Sequence, residues 1–219
     1  MRWKRPDGRL ISPDVFIPAA ESEKMIVPLT RHLMALIERD FSDWKPKTEF
    51  HLSINVSADH LCHDEFVEDI KIFTDVLPPL VSLVTEITER MVVLDMEKAT
   101  LHVSLLREAG VKVAIDDFGT GYCSLSLLQT LHIDYLKIDK CFTETIDSAG
   151  GDAPVLEAII SLSNRLNLLT IAEGISSAMQ TAFMKAHKVP LLQGYLYSPP
   201  SRLQSSKNGT ISMAIILKL

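Results

Sequence analysis

Apolar and polar positions along the chain fall into a repeating order. Short apolar, β-branched runs at 51–56, 83–87, 111–115, 135–138, 168–172 and 190–192 read as buried strands. Between them, segments near 64–76, 95–108, 124–131, 153–166 and 177–187 carry helical spacing. Two helices precede this series. One is expected near 15–21, opened by Ser12 as N-cap with Pro13 at the first helical position, and a longer one over 28–41. Gly110 stands where a helix C-terminus meets the next strand. Repeated strand–helix units imply a parallel sheet, either open and doubly wound or closed as a barrel.

The strand ends choose between these. The runs lead into Asn55, Glu86, Asp116-Asp117, Lys137, Glu173 and Gln193, so each delivers a polar group at its carboxyl end. An open sheet draws its ligand crevice from strands near one switch point, whereas a barrel brings all strand ends to one mouth. A TIM-like (β/α) barrel is therefore expected. With only six strand runs it would be incomplete, lacking the first two strands of eight.

Two adjacent carboxylates after an apolar strand are the chemical signal. Neighbouring strand residues point to opposite faces, so the end of a strand is the expected place where Asp116 and Asp117 could share a site. Like charges so close favour a cation between them. The oxygen-rich set Asn55, Glu86, Asp116, Asp117 and Glu173 suits Mg2+ or Mn2+ and has enough donors for two ions. Two such ions would support in-line phosphoryl displacement, with Lys137 adding positive charge and Gln193 orienting water or a ligand atom.

Composition narrows the field. With 22 Lys and Arg against 28 Asp and Glu, the net charge is −6, which argues against broad binding to a nucleic-acid polymer. Cys62, Cys123 and Cys141 lack close spacing and fit reduced thiols in a cytoplasmic setting. His60-Leu61-Cys62-His63 has no second ligand cluster and is expected to be a surface loop. No apolar run reaches the length of a membrane span, and no membrane contact is expected. Residues 201–219 form a polar loop followed by a short apolar stretch, expected as a final helix or strand or as the product of an altered reading frame.

Ordered motifs then carry a resemblance. These are Arg2-Trp3 with Pro6-Asp7-Gly8, Ser53-Ile54-Asn55-Val56-Ser57, Glu86-Ile87-Thr88-Glu89, Asp116 to Tyr122, Leu136-Lys137-Ile138-Asp139, Ala172-Glu173-Gly174 and Gln193-Gly194-Tyr195. From about residue 2 to 200 the chain resembles the EAL domain family, bacterial phosphodiesterases that open cyclic di-GMP to linear pGpG. The resemblance implies an EAL-type domain over 1–200 with an atypical tail at 201–219. It implies that Asn55, Glu86 and Asp116 hold a first Mg2+ or Mn2+ ion, and that Asp116, Asp117 and Glu173 hold a second. Glu173, Lys137, Asp117 and Gln193 would do the chemistry. Arg2 would contact a substrate phosphate. Asp139 is placed beside the substrate, with a plain strand-end hydrogen bond as its alternative. Glu89 would steady the 118–124 loop, a segment tied in this family to metal binding and homodimer contacts.

The departures set further expectations. The Glu-Ala-Leu signature would lie just ahead of Arg2, and its glutamate is a first-metal ligand in the family. Ser176 stands where the family commonly has glutamate, and Cys123 where it has serine. The chain as given is thus expected to hydrolyse cyclic di-GMP slowly. The alternatives are a non-catalytic module binding cyclic di-GMP or a protein, or a truncated reading frame without a stable role.

Overall fold

The computed structural model describes residues 3–42, 44–120, 125–148, 152–197 and 216–218. A two-stranded antiparallel ribbon, β1 (Trp3–Lys4) with β2 (Leu10–Ile11), comes first, then α1 (Pro13–Ser22) and α2 (Ile26–Phe41). Strands and helices alternate after it: β3 (Phe50–Asn55), α3 (Ala58–Leu61), α4 (Phe66–Asp75), β4 (Val81–Thr88), α5 (Glu89–Leu94), α6 (Met96–Glu108) and β5 (Lys112–Phe118). The order continues with α7 (Leu125–Thr130), β6 (Tyr135–Ile138), α8 (Lys140–Thr143), α9 (Thr145–Ser148), α10 (Pro154–Arg165), β7 (Leu169–Ala172), α11 (Ala178–Ala186), β8 (Leu191–Gln193) and β9 (Ile216–Lys218).

Strands β3 to β8 pair in parallel and in chain order, and β9 joins the outer edge of β8 antiparallel, with Leu192 opposite Leu217. This is an α/β fold whose curled sheet makes an incomplete TIM-like barrel. Among the described residues no strand covers the outer edge of β3.

Strand alternation sorts the core into two layers. Leu83, Ile87, Val113, Ile115, Leu136, Ile138, Ala172 and Leu192 pack outward with the helices. On the other face Val84, Ala114, Tyr135, Ile171 and Leu191 form a separate cluster lining the barrel interior. Each inner residue lies two positions before Glu86, Asp116, Lys137, Glu173 or Gln193. Period two therefore puts all five of those polar residues on the inner face, one layer above an apolar floor.

The structure departs from the sequence reading at particular elements. Residues 89–94 form α5 directly after β4, although Met91-Val92-Val93-Leu94 shows no helical alternation. Ser12 occupies the N-cap of α1, but its hydroxyl bonds Asp14 rather than a helix amide. Helix α6 ends as expected, with Gly110 N donating to Arg107 O and Val111 N to Leu106 O. The tail contributes a strand at 216–218; Cys123 lies outside the described residues.

The 60–63 segment is not a surface loop. His60 and Leu61 are fully buried in α3, and Phe66 packs edge-on against the His60 ring. His60 Nε2 lies 3.0 Å from Asp69 Oδ2, which also accepts from Arg31 Nε at 2.8 Å. One carboxylate thus ties α2, α3 and α4 together. Burial lowers the His60 pKa against the opposing pull of Asp69, so the ring stays neutral in the fold. The unfolded chain protonates first as pH drops below about 6.5, so stability from His60 is present above that pH and lost beneath it. Urea denaturation at a series of pH values should show this loss, and His60→Gln should flatten it; an unchanged slope in the variant would count against the coupling.

Candidate metal centre

The centre is built where β5 breaks its own register. Ile115 faces Leu136 and Phe118 faces Ile138, so Asp116 and Asp117 together stand opposite the single residue Lys137. This bulge has Asp117 in the left-handed region at φ 54°, which aspartate tolerates better than most residues. Phe118 returns to the outer core, and both carboxylates stay on the inner side. The sequence expectation of a strand end is therefore corrected: the strand runs through to Phe118, and a bulge brings the pair together.

Lys137 sits at the middle. Its Nζ lies 2.8 Å from Glu86 Oε2, 2.8 Å from Asp116 Oδ1 and 2.7 Å from Glu173 Oε1. Lys137 is 4% exposed and Glu86 6%. Burial works against its charge, but Glu86, Glu173 and Asp116 outweigh that and hold its pKa well above the ordinary lysine range. With its amide nitrogen facing the carboxylates, Asn55 donates to Glu86 Oε2 at 3.0 Å and Asp116 Oδ2 at 3.3 Å. Asn55 and Glu86 are direct partners across β3 and β4.

Asp116, Asp117 and Glu173 each offer an oxygen within 4.8 Å of the others, a spacing that one metal ion can bridge. Burial raises the Glu173 pKa, with Asp116 and Glu86 adding to the shift and Lys137 opposing it. Burial likewise raises Asp117, helped by the charges of Asp116 and Asp139. Both shifts mark a place short of positive charge even with Lys137 present. An all-oxygen donor set of this kind fits Mg2+ or Mn2+.

The other expected residues are placed as follows. Gln193 ends β8 on the inner face, and its carbonyl accepts from Ile175 N at 3.0 Å, joining the β7 and β8 loops. Glu89 is buried, and its Oε1 accepts from Gly119 N at 3.1 Å, which ties α5 to the turn after the aspartate pair. Asp139 N-caps α8 through Cys141 N at 2.8 Å. Arg2 and residues 121–124 lie outside the described residues. Thr88, Arg90 and Thr120 were given no role in the sequence reading, yet they line a cavity of about 360 Å3 with Glu89, Asp116 and Asp117. Only the positions of β4 and α5 relative to the bulge reveal them.

Gly194 is required by close approach. A Cβ there would stand 2.0 Å from Ile175 O and 2.3 Å from Ile175 N, both backbone atoms. Gly194→Ala should cost about 1–3 kcal/mol or more by overpacking. Urea denaturation would show this as a lowered midpoint; an unchanged midpoint would contradict the contact.

A half-barrel whose strand carboxyl ends carry an oxygen-rich rim able to hold a metal ion defines the class of protein. The EAL domain family matches residues 1–200, and the chain belongs to that family. It is 42% identical over 204 residues to the Escherichia coli (strain K12) protein described as "Probable cyclic di-GMP phosphodiesterase PdeD", covering 93% of this chain and 38% of that protein. It is 41% identical over 203 residues to "Probable cyclic di-GMP phosphodiesterase PdeN" of the same organism, covering 91% and 39%. The chain thus spans about two fifths of the length of these relatives. Among solved structures, "PaMucR Phosphodiesterase, c-di-GMP complex" superposes with a TM-score of 0.74 at 31% identity, covering 90% of this chain and 81% of that one. The EAL domain of Mycobacterium smegmatis DcpA superposes with a TM-score of 0.68 at 36% identity, covering 78% and 76%.

Proposed function

We propose that this chain is a cyclic di-GMP phosphodiesterase domain that opens the cyclic dinucleotide to linear pGpG. The observation that carries the reading is the convergence of Asn55, Glu86, Asp116, Asp117 and Glu173 around Lys137 on one rim. It is supported by relatives and a solved structure described as cyclic di-GMP phosphodiesterases. On this reading the domain would span 1–200, with 201–219 as a tail.

Asn55, Glu86 and Asp116 would hold one Mg2+ or Mn2+ ion, and Asp116, Asp117 and Glu173 a second. Bound there, the ions supply Lewis acidity and a water of lowered pKa. Glu173, whose pKa burial raises, would take the proton of the attacking water as the new P–O bond forms; the P–O bond to the ribose breaks, and that oxygen leaves as a hydroxyl by taking a proton from solvent. Lys137 stabilises negative charge on the phosphoryl oxygens, and Gln193 orients the water. Arg2 would contact the substrate phosphate, and Asp139, from its capping position, the substrate side of the site. Glu89 fixes the turn at Gly119.

A second reading is a module that binds cyclic di-GMP without cleaving it. The exposure of Asn55 favours it, on an edge of β3 that no strand covers among the described residues. For the same reason we propose slow turnover by the chain as given. Incubation with cyclic di-GMP and Mn2+, followed by chromatography for pGpG, tests the reading. Chelator-sensitive pGpG that disappears in Glu173→Gln is the expected result. Nucleotide binding with no pGpG would give the second reading the site.

A further inference from the structure

Behind Glu173 lies a buried polar network that the proposed chemistry does not use. Gln180, on the first turn of α11, is fully buried. Its Oε1 accepts from Ser176 N at 2.7 Å and Ser177 N at 3.2 Å. Its Nε2 donates to Thr143 O at 3.3 Å and Asp147 Oδ2 at 2.8 Å. Thr143, also fully buried, donates its hydroxyl to the carbonyl oxygen of Glu173 at 2.8 Å. The bonds therefore close a ring that runs from Glu173 O through Thr143 and Gln180 to Ser176 N and back along the chain.

Further contacts tighten that ring. Gly174 has φ +69°, and a Cβ on it would stand 2.5 Å from Lys140 Cβ, so the turn lies flat against α8. Asp147 Oδ1 accepts from Ser177 Oγ at 2.8 Å, which brings α9 into the same network.

We propose that Gln180 is a positioning residue for Glu173. Its carboxamide locks the 174–177 turn against α8 and α9, and so sets where the Glu173 carboxylate stands relative to Asp116, Asp117 and Lys137. This rests on the metal-centre reading above. Gln180 also completes a capping box with Ser177, but a cap explains only the Ser177 contacts. It does not account for the bond from Ser176 N or for both donations from Nε2. A buried amide with both ends satisfied by backbone and carboxylate admits a single orientation, and the turn it holds inherits that rigidity. Outer partners that orient metal ligands typically change metal affinity by about 10–100-fold.

Mn2+ affinity, measured by calorimetry and by electron paramagnetic resonance on folded chain, is the test. Gln180→Met should weaken binding about 10–100-fold. In a Glu173→Gln background the same change should alter affinity by less than about twofold, because it acts through Glu173. The paired exchange Gln180→Glu with Asp147→Asn reverses donor and acceptor between the two side chains but leaves Thr143 O without its donor, so it should recover only the part of the affinity carried by the Asp147 contact. A folded Gln180→Met chain with wild-type affinity and only a lower Tm would reduce Gln180 to a helix cap. An equal loss with and without Glu173 would also overturn the proposal. Should Gln180→Met fail to fold, Gln180→Glu and its paired rescue decide the matter alone. A wild-type chain that takes up no Mn2+ would instead overturn the proposed function. Gln180 would then be judged by amide exchange, where unchanged protection of Ser176 and Ser177 in Gln180→Glu overturns the locking role.

Discussion

Lys137→Met is expected to lose about 3–5 kcal/mol of unfolding free energy in the absence of divalent metal, the scale for removing one partner of a buried charge cluster. The methionine matches the lysine stem in length, so the buried volume is largely kept and the loss reports on charge. Glu86, Asp116 and Glu173 would be left facing one another without the ammonium that now stands 2.7–2.8 Å from each. Mn2+ should restore most of the lost stability, because a divalent cation can take over the same carboxylates. The variant should accordingly bind Mn2+ at least as tightly as the wild-type chain while turning over cyclic di-GMP more slowly, having lost the phosphate-side charge. Chemical denaturation with chelator and with Mn2+ separates these effects. A loss below about 1 kcal/mol with chelator would mean the cluster behaves like a solvated surface pair.

On the proposed two-ion reading, Asp116→Asn should weaken Mn2+ binding by more than about 100-fold, and Asp117→Asn by about tenfold, since a ligand serving both ions would outweigh one serving a single ion. The structure motivates the difference. Asp116 presents Oδ2 to Asn55 and Oδ1 to Lys137, and it also lies within reach of Asp117 and Glu173, so it stands in both proposed donor sets. Asp117 belongs only to the outer group with Asp116 and Glu173 and is exposed. Turnover should fall about 10²–10³-fold in Asp116→Asn, the range for loss of one strong transition-state contact. The two substitutions should also differ without metal. Burial and the neighbouring charges of Asp116 and Asp139 disfavour ionised Asp117, so Asp117→Asn should raise the Tm of the metal-free chain at neutral pH. As pH falls through the raised carboxylate pKa values of Asp117 and Glu173, protons should displace Mn2+, beginning above the ordinary carboxylate range. Equal and small losses of affinity in Asp116→Asn and Asp117→Asn would argue against a two-ion centre.

The amino-acid sequence by itself determined the alternating strands and helices, the barrel and the polar residue at the end of each strand. It could do so because period-two and helical spacing are local properties of the chain, and because a polar residue after an apolar run shows in the linear order. The motif order from Trp3 to Tyr195 likewise identified the family. Other features depended on the tertiary structure. The bulge that sets Asp116 and Asp117 against Lys137 needs the register of β6, which no local pattern contains; Phe118 in the core is its only trace in the chain. Helix α5 forms from residues 89–94 with no helical alternation because packing of Glu89 and Val92 overrides the local pattern. His60 looked like part of an exposed loop because its partner Asp69 lies 9 positions away on α4, and Arg31, which shares that carboxylate, lies 38 positions from Asp69 on α2. The ring through Thr143 and Gln180 spans residues 143 to 180 and closes only when α8, β7 and α11 pack together. Polar identity at a strand end is local; which charges then face one another is decided by register and packing.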